Sequence, residues 1–225
     1  MLQHVYERAS LARYLSSTII ATDDERVYEV ARSFGAVVRM TRADHLSGTD
    51  RVAEVASAES AEIVVNIQAD EPLIDPAAID AAVLPLAHDS EIGMATLKKR
   101  IEDPREITDP NVVKVVTAAN GDAIYFSRCP IPYQRTPEPG RLTPYFKHVG
   151  LYVYRRSFLL QYSALPVGPL ERAERLEQLR ALENGHPIRV VETEYESLGV
   201  DTPADLEKVA GLFESQMAPD VKSYG

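Results

Sequence analysis

The spacing of apolar residues changes several times along this chain, and each change marks a new element. Leu2, Val5, Ala9 and Ala12 recur at helical spacing and predict an amphipathic helix within residues 1–13. STIIATDD, from Ser17 to Asp24, reads as a short apolar strand ending on acids. DERVYEVARSFG has acids at its start and Gly35 at its end, the asymmetry of a capped helix. AVVRM then predicts a strand, SGTDRVAEVASA a loop feeding a helix, EIVVNIQ a strand, and DPAAIDAAVLPLA a helix with Pro76 in its first turn. This alternation is the signature of a parallel sheet with helices on both faces. The strands are continuous apolar runs, as expected where both faces are covered.

Past Gly93 the pattern shifts. MATLKKRI predicts a strand, and VVKVVTAANGDAIYFSR two more joined by a hairpin at Asn120-Gly121. Residues 128–145 hold five prolines and read as a long loop. KHVGLYVYRR alternates, with Val149, Leu151 and Val153 on one face and His148, Gly150, Tyr152 and Tyr154 on the other. PLERAERLEQLRALENGH predicts one helix closed by Asn184-Gly185, with Leu176, Leu179 and Leu182 as its core stripe. IRVVETE predicts a strand and TPADLEKVAGLFESQ a last helix opened by Thr202-Pro203. With no repeat or low-complexity linker, the expectation is a single α/β domain over residues 1–225. Its sheet is expected to be mostly parallel and doubly wound (Rossmann-like), with an inserted β-hairpin and loop region.

Composition narrows the function. Of 225 residues, 45% are hydrophobic and 26% charged, an ordinary mix for a chain with a real core. The net charge of −10 argues against broad nucleic-acid or anionic-membrane binding but leaves room for a local basic pocket. The single cysteine, Cys129, cannot form an internal disulfide, which fits a reducing cytosol. No apolar run approaches the roughly 20 residues of a membrane span. The N-terminus lacks the basic-then-apolar layout of a secretory signal.

Ligands of open α/β sheets bind beyond the C-terminal ends of the strands. The polar clusters predicted there are Asp23-Asp24, the stretch Arg42 to Arg51, Gln68-Ala69-Asp70-Glu71, and, before the last helix, Gly199-Val200-Asp201-Thr202-Pro203. Asp24 and Asp201 also suit helix caps, and Asp70-Glu71-Pro72 an ordinary turn. TRADHLSGTDR joins two arginines and a Ser-Gly-Thr turn at a helix start, which suits an anion. His45 has no second His or Cys at ligand spacing, which argues against a metal site there. The His and Tyr face of KHVGLYVYRR suits a sugar-acid pocket or a subunit interface. Glu177 and Gln178 lie off the leucine stripe, placed either to reach a ligand or to meet solvent.

TRADHLSGTDR, VVNIQADEPLI, PNVVKVV, YFSRCPIPY, KHVGLYVYRR, LERAERLEQLRALENG and GVDTPADLEKV, in this order, closely resemble the cytidylyltransferases that activate 3-deoxy-manno-octulosonate (Kdo). The sialic-acid cytidylyltransferases share the fold, but the LEQLR and FSR-x-PIPY segments resemble the Kdo enzymes more. The resemblance implies a nucleotidyltransferase fold of the glycosyltransferase-A type. It implies transfer of CMP from CTP to Kdo for lipopolysaccharide synthesis, with Asp70 and Asp201 holding Mg²⁺ as the catalytic pair. By the same carry-over, Arg42, Ser47, Gly48, Thr49 and Gln68 face the nucleotide. Arg128, His148, Tyr152, Glu177 and Gln178 face the sugar acid, with Arg128 pairing its carboxylate. A cytoplasmic homodimer is implied, in contact through about residues 112–155, with CTP and Kdo, or an amino-substituted relative, as its substrates.

The family opens on a strand and an Arg- and Lys-bearing loop around the triphosphate, whereas Met1 falls where its first helix begins. Two expectations follow: a synthetase read from an internal methionine or in part, or a non-catalytic relative that serves as a binding or subunit partner. Losing such a strand removes about 7–15 kcal/mol of apolar burial, at roughly 1.5–3 kcal/mol per side chain. That rivals the roughly 5–15 kcal/mol stability of a whole domain, so the chain is expected to be weakly stable.

Overall fold

The alternation read from the sequence appears as an α/β fold. A computed structural model describes residues 1–135, 143–200 and 202–217, with side chains placed as far as Phe213. The first half runs α1 (Leu2–Ala9), β1 (Ile20–Thr22), α2 (Glu25–Ser33), β2 (Val38–Met40), α3 (Gly48–Ala58), β3 (Ile63–Asn66) and α4 (Pro76–His88). The second runs β4 (Met94–Arg100), α5 (Pro104–Thr108), β5 (Lys114–Thr117), β6 (Ala123–Ser127), β7 (Phe146–Arg155), α6 (Arg156–Tyr162), α7 (Pro169–Glu174), α8 (Leu179–Glu183), β8 (Arg189–Glu192) and α9 (Pro203–Met217). Local chemistry sets the helix starts. Asp24, Ser47, Asp75 and Asp103 each accept a backbone N–H of the following turn. Asp24 is such a cap, and its ion pair with Arg26 holds its carboxyl down at about 2.

The pairing is mixed rather than mostly parallel. β1 pairs β2, and β4 pairs β8, in parallel. β7 lies antiparallel between β4 on one side and β3 and β5 on the other. The predicted hairpin at Asn120-Gly121 joins β5 to β6, with Gly121 at φ +86° as the turn requires. The expected β7 alternation holds. Val149, Leu151 and Val153 enter a core with α1 and α4, while Tyr152 and Tyr154 enter a second core with α3, α6 and α8.

The sheet is divided. β1 and β2 form their own two-stranded sheet, and β3 pairs only with β7 among the described strands. α3 packs on both β1 and β3 and so bridges the two sheets. Among the described strands β1 pairs only with β2 and β3 only with β7, so each keeps one unpaired edge. Ile20 and Thr22 bond to β2, which turns the backbone groups of Ala21 to the open edge. On β3 the bond from Arg156 N–H to the Glu62 carbonyl fixes the alternation and turns those of Ile63 and Val65 outward.

Candidate active site

β3 delivers Gln68, Ala69, Asp70 and Glu71 beyond its C-terminal end, and the two adjacent acids do different things. The Asp70 side chain meets no cation and accepts no hydrogen bond among the described residues. Its carbonyl accepts the Val200 N–H at 2.9 Å. Glu71 is 7% exposed and points inward. It accepts the Tyr195 hydroxyl at 2.8 Å and the Ser197 hydroxyl at 2.7 Å. Burial pushes its carboxyl above the usual range, against these two bonds. A segment 124 residues away in sequence is thereby fastened to the strand end. Asp201, the other predicted metal carboxylate, lies outside the described residues. Among those described, no three His, Cys, Asp or Glu converge as a metal cage.

A second cluster forms where the start of α3 meets α7 and α8. Ser47 caps α3, and its hydroxyl lies 3.4 Å from Glu177 Oε1. A side chain built on Gly48 would meet nothing, so this turn lies open to an approaching ligand. Thr49 is buried, and its hydroxyl acts to lower the Glu177 pKa against the effect of burial. The cleft beside this cluster has a volume of 510 Å³, and Ser47, Glu171, Arg172, Arg175, Glu177 and Arg180 line it. Burial raises the Glu177 carboxyl.

The single helix expected over residues 169–186 is broken. Arg175 adopts φ +54° and ends α7, and α8 begins only at Leu179. Helical spacing placed Glu177 and Gln178 off the core stripe, but the break turns them inward. Gln178 is 3% exposed, and its amide makes no hydrogen bond among the described residues. Two contacts fix the bend. The Tyr162 hydroxyl donates to the Glu177 carbonyl at 2.6 Å, and Arg180 forms a buried bidentate pair with Glu171 at 2.9 and 2.6 Å.

His148 and Tyr152 stand on one face of β7, 5.4 Å apart between ring centroids. Both are partly buried. Burial lowers the His148 pKa to about 3, so the ring is neutral at physiological pH. Thr96 Oγ1 lies 2.9 Å from His148 Nε2 and donates its own proton to the Leu151 carbonyl at 2.8 Å. Thr96 Oγ1 also lies 3.2 Å from the Val149 carbonyl; with its one proton on the nearer Leu151 carbonyl, Nε2 carries the imidazole proton and Nδ1 is an acceptor.

Arg128 departs from its expected part. Its guanidinium donates to the carbonyls of Glu174, Pro110 and Arg175, at 2.8, 2.9 and 3.5 Å. In this structure it is a strut between β6 and the end of α7, not a free carboxylate clamp. Arg42 is exposed and pairs with Asp44 at 3.2 Å, and Gln68 is exposed beside Asp70. His45 pairs with Glu54.

The family model described as cytidylyltransferase matches residues 1–193. A 3-deoxy-manno-octulosonate cytidylyltransferase of Solibacter usitatus is 79% identical over 96% of this chain and 85% of that protein. The chain belongs to the 3-deoxy-manno-octulosonate cytidylyltransferase family. A relative of the same name from Geobacter metallireducens is 57% identical over 93% of this chain and 85% of its own length. A solved CMP:2-keto-3-deoxy-manno-octonic acid synthetase, complexed with CTP, superposes at TM-score 0.91 with 44% identity, over 96% of this chain and 88% of that one. A 4-diphosphocytidyl-2C-methyl-D-erythritol synthase of Anaerococcus prevotii, at TM-score 0.60 and 10% identity, shares the fold alone.

Of the residues that the Kdo cytidylyltransferase resemblance picks out, the structure joins Ser47 to Glu177, and His148 to Tyr152. Sequence reasoning missed Tyr195 and Ser197, which no local pattern tied to Glu71. It also missed Arg172 and Arg175 as cleft cations. Arg172 and Arg175 within LERAERLEQLR were the available signal, but a continuous helix hid the side they face.

Proposed function

We propose that this chain transfers the cytidylyl group of CTP to the anomeric hydroxyl of Kdo and releases pyrophosphate, in the cytoplasm, for lipopolysaccharide synthesis. The observation that carries the reading is the Asp70 turn. It holds an acid that no cation among the described residues neutralises, at a strand end, fastened to the residue before Asp201. Among the described residues no three His, Cys, Asp or Glu form a metal cage, and one or two carboxylates suit Mg²⁺, which keeps several waters and takes its other ligands from phosphate. Asp70 and Asp201 would hold that ion, which when bound offsets the charge of the triphosphate. The sugar oxygen forms a new bond to the α-phosphorus as the bond to pyrophosphate breaks. The protein contributes no nucleophile, and its part is orientation and charge.

The open Ser47-Gly48-Thr49 start of α3 receives nucleotide, with Arg42 and Gln68 at the rim. Glu177, Gln178 and the acceptor Nδ1 of His148 hold sugar hydroxyls, alongside Tyr152. In place of Arg128, the cleft-facing Arg175 takes the sugar carboxylate, because its guanidinium has no acid partner among the described residues. The subunits pair through the hairpin and the segment after it, where Ile124 and Tyr133 are 61% and 87% exposed.

The test is pyrophosphate release from CTP, Kdo and Mg²⁺, with amino-substituted Kdo as a competing acceptor. Asp70→Asn is expected to abolish turnover while leaving the melting temperature nearly unchanged, since the side chain holds no other described residue in place. Full activity in that variant removes the carboxylate from the mechanism. Silence of the natural chain with both substrates favours the alternative, a non-catalytic binding partner.

A further inference from the structure

Adjacent acids at a strand end suggest two ligands for one cation, yet Glu71 faces away from any such site. Glu71 is 7% exposed and both its carboxyl oxygens are taken by hydroxyls, those of Tyr195 and Ser197. Those hydroxyls belong to an extended segment whose side chains alternate. Tyr195 and Ser197 turn inward to Glu71. Glu196, between them, turns outward and pairs with Lys99 at 2.6 Å and Lys147 at 2.5 Å. The segment is thus gripped on both sides, and three residues after Ser197 the Val200 N–H reaches the Asp70 carbonyl at 2.9 Å.

We propose that Glu71 is a positioning residue that, through Tyr195 and Ser197, locks the 195–200 segment against the Asp70 turn and so sets the affinity of that turn for a divalent cation. The inference rests on the metal-binding role given to Asp70 above. Two features set Glu71 apart from a generic core acid. It has no cationic partner among the described residues, and its hydrogen-bond donors come only from the returning segment. The next residue along the chain from Val200 is Asp201. Loosening the segment therefore loosens the stretch that leads into the second acid.

Two readouts test this on the whole chain. Hydrogen exchange at the Val200 amide reads the lock itself. Electron paramagnetic resonance of free Mn²⁺, titrated with CTP present, reads the site. The Tyr195→Phe/Ser197→Ala double variant is expected to lose protection at Val200 and to bind Mn²⁺ about 10- to 100-fold more weakly, the usual effect of removing groups that orient a metal ligand. Ser197→Thr keeps the hydroxyl and should behave as the natural chain. Should the double variant be too unstable to titrate, Ser197→Ala alone, at a partly exposed position, should show the same changes in smaller degree. A folded variant that keeps natural Mn²⁺ affinity, or natural protection at Val200, overturns the proposal. If instead Asp70→Asn binds Mn²⁺ as well as the natural chain does, the metal reading fails, whatever Val200 shows.

Discussion

His148 offers a prediction whose size follows from its surroundings. The ring lies 5.1 Å from Phe126 and 5.4 Å from Tyr152, and burial lowers its pKa to about 3. In the unfolded chain it titrates near 6.5. A depressed pKa contributes stability that is fully present above the unfolded value and is lost as pH falls toward the folded one, because only the unfolded chain takes up the proton. Between pH 7 and pH 5 this group alone should remove about 2 kcal/mol, at roughly 1.4 kcal/mol per pH unit below 6.5. Carboxylates that burial raises, such as Glu71 and Glu177, contribute with the opposite sign. The comparison must therefore be between two chains rather than two pH values alone.

His148→Phe keeps an aromatic ring between its neighbours and removes the proton. The variant loses its contact with Thr96 and is expected to be less stable at pH 7. Urea unfolding at pH 7 and pH 5 should show the natural chain losing about 2 kcal/mol more than the variant does over that interval. If both lose the same amount to within about 0.5 kcal/mol, the ring is not held neutral by burial. Its assignment as an acceptor through Nδ1 would fall with it.

Other predictions follow from single contacts. Arg175 sits in the left-handed region, which costs an L-residue roughly 1–2 kcal/mol. Arg175→Gly should therefore be at least as stable as the natural chain and Arg175→Val less so, and thermal melts that reverse this order would refute the account of the α7 break. Glu171→Ala should cost about 3–5 kcal/mol by leaving Arg180 buried without its partner. Replacing both with apolar residues should cost less, as urea unfolding will show. Backbone amides of Ala21 and Val65, at the open edges of β1 and β3, should exchange far faster than that of Val64, which bonds to β7. Equal protection would mean that the two sheets are closed against each other.

The sequence by itself determined the local order of this protein. Apolar period set the helices and strands, Asp and Ser caps set the helix starts, and Asn120-Gly121 set the hairpin, because each depends on residues within a few positions. It also marked the strand ends where polar clusters gather, and the ordered motifs carried the family. What it could not determine was anything that joins distant segments. β7 runs against β3 and β4 because its pairing is chosen by long-range packing, not by its own pattern. The α7–α8 break, which turns Gln178 inward, is stabilised by Tyr162 and by Glu171 with Arg180, contacts that helical spacing cannot foresee. The three carbonyl partners of Arg128 lie up to 47 residues away, so no local pattern could show that it is engaged. Asp70 and Glu71 look alike in the sequence, but only the fold gives one to solvent and the other to Tyr195 and Ser197. The physical reason is the same throughout. Propensity and capping act within one turn or one strand, whereas burial and hydrogen-bond partners are assigned only when the chain folds back on itself.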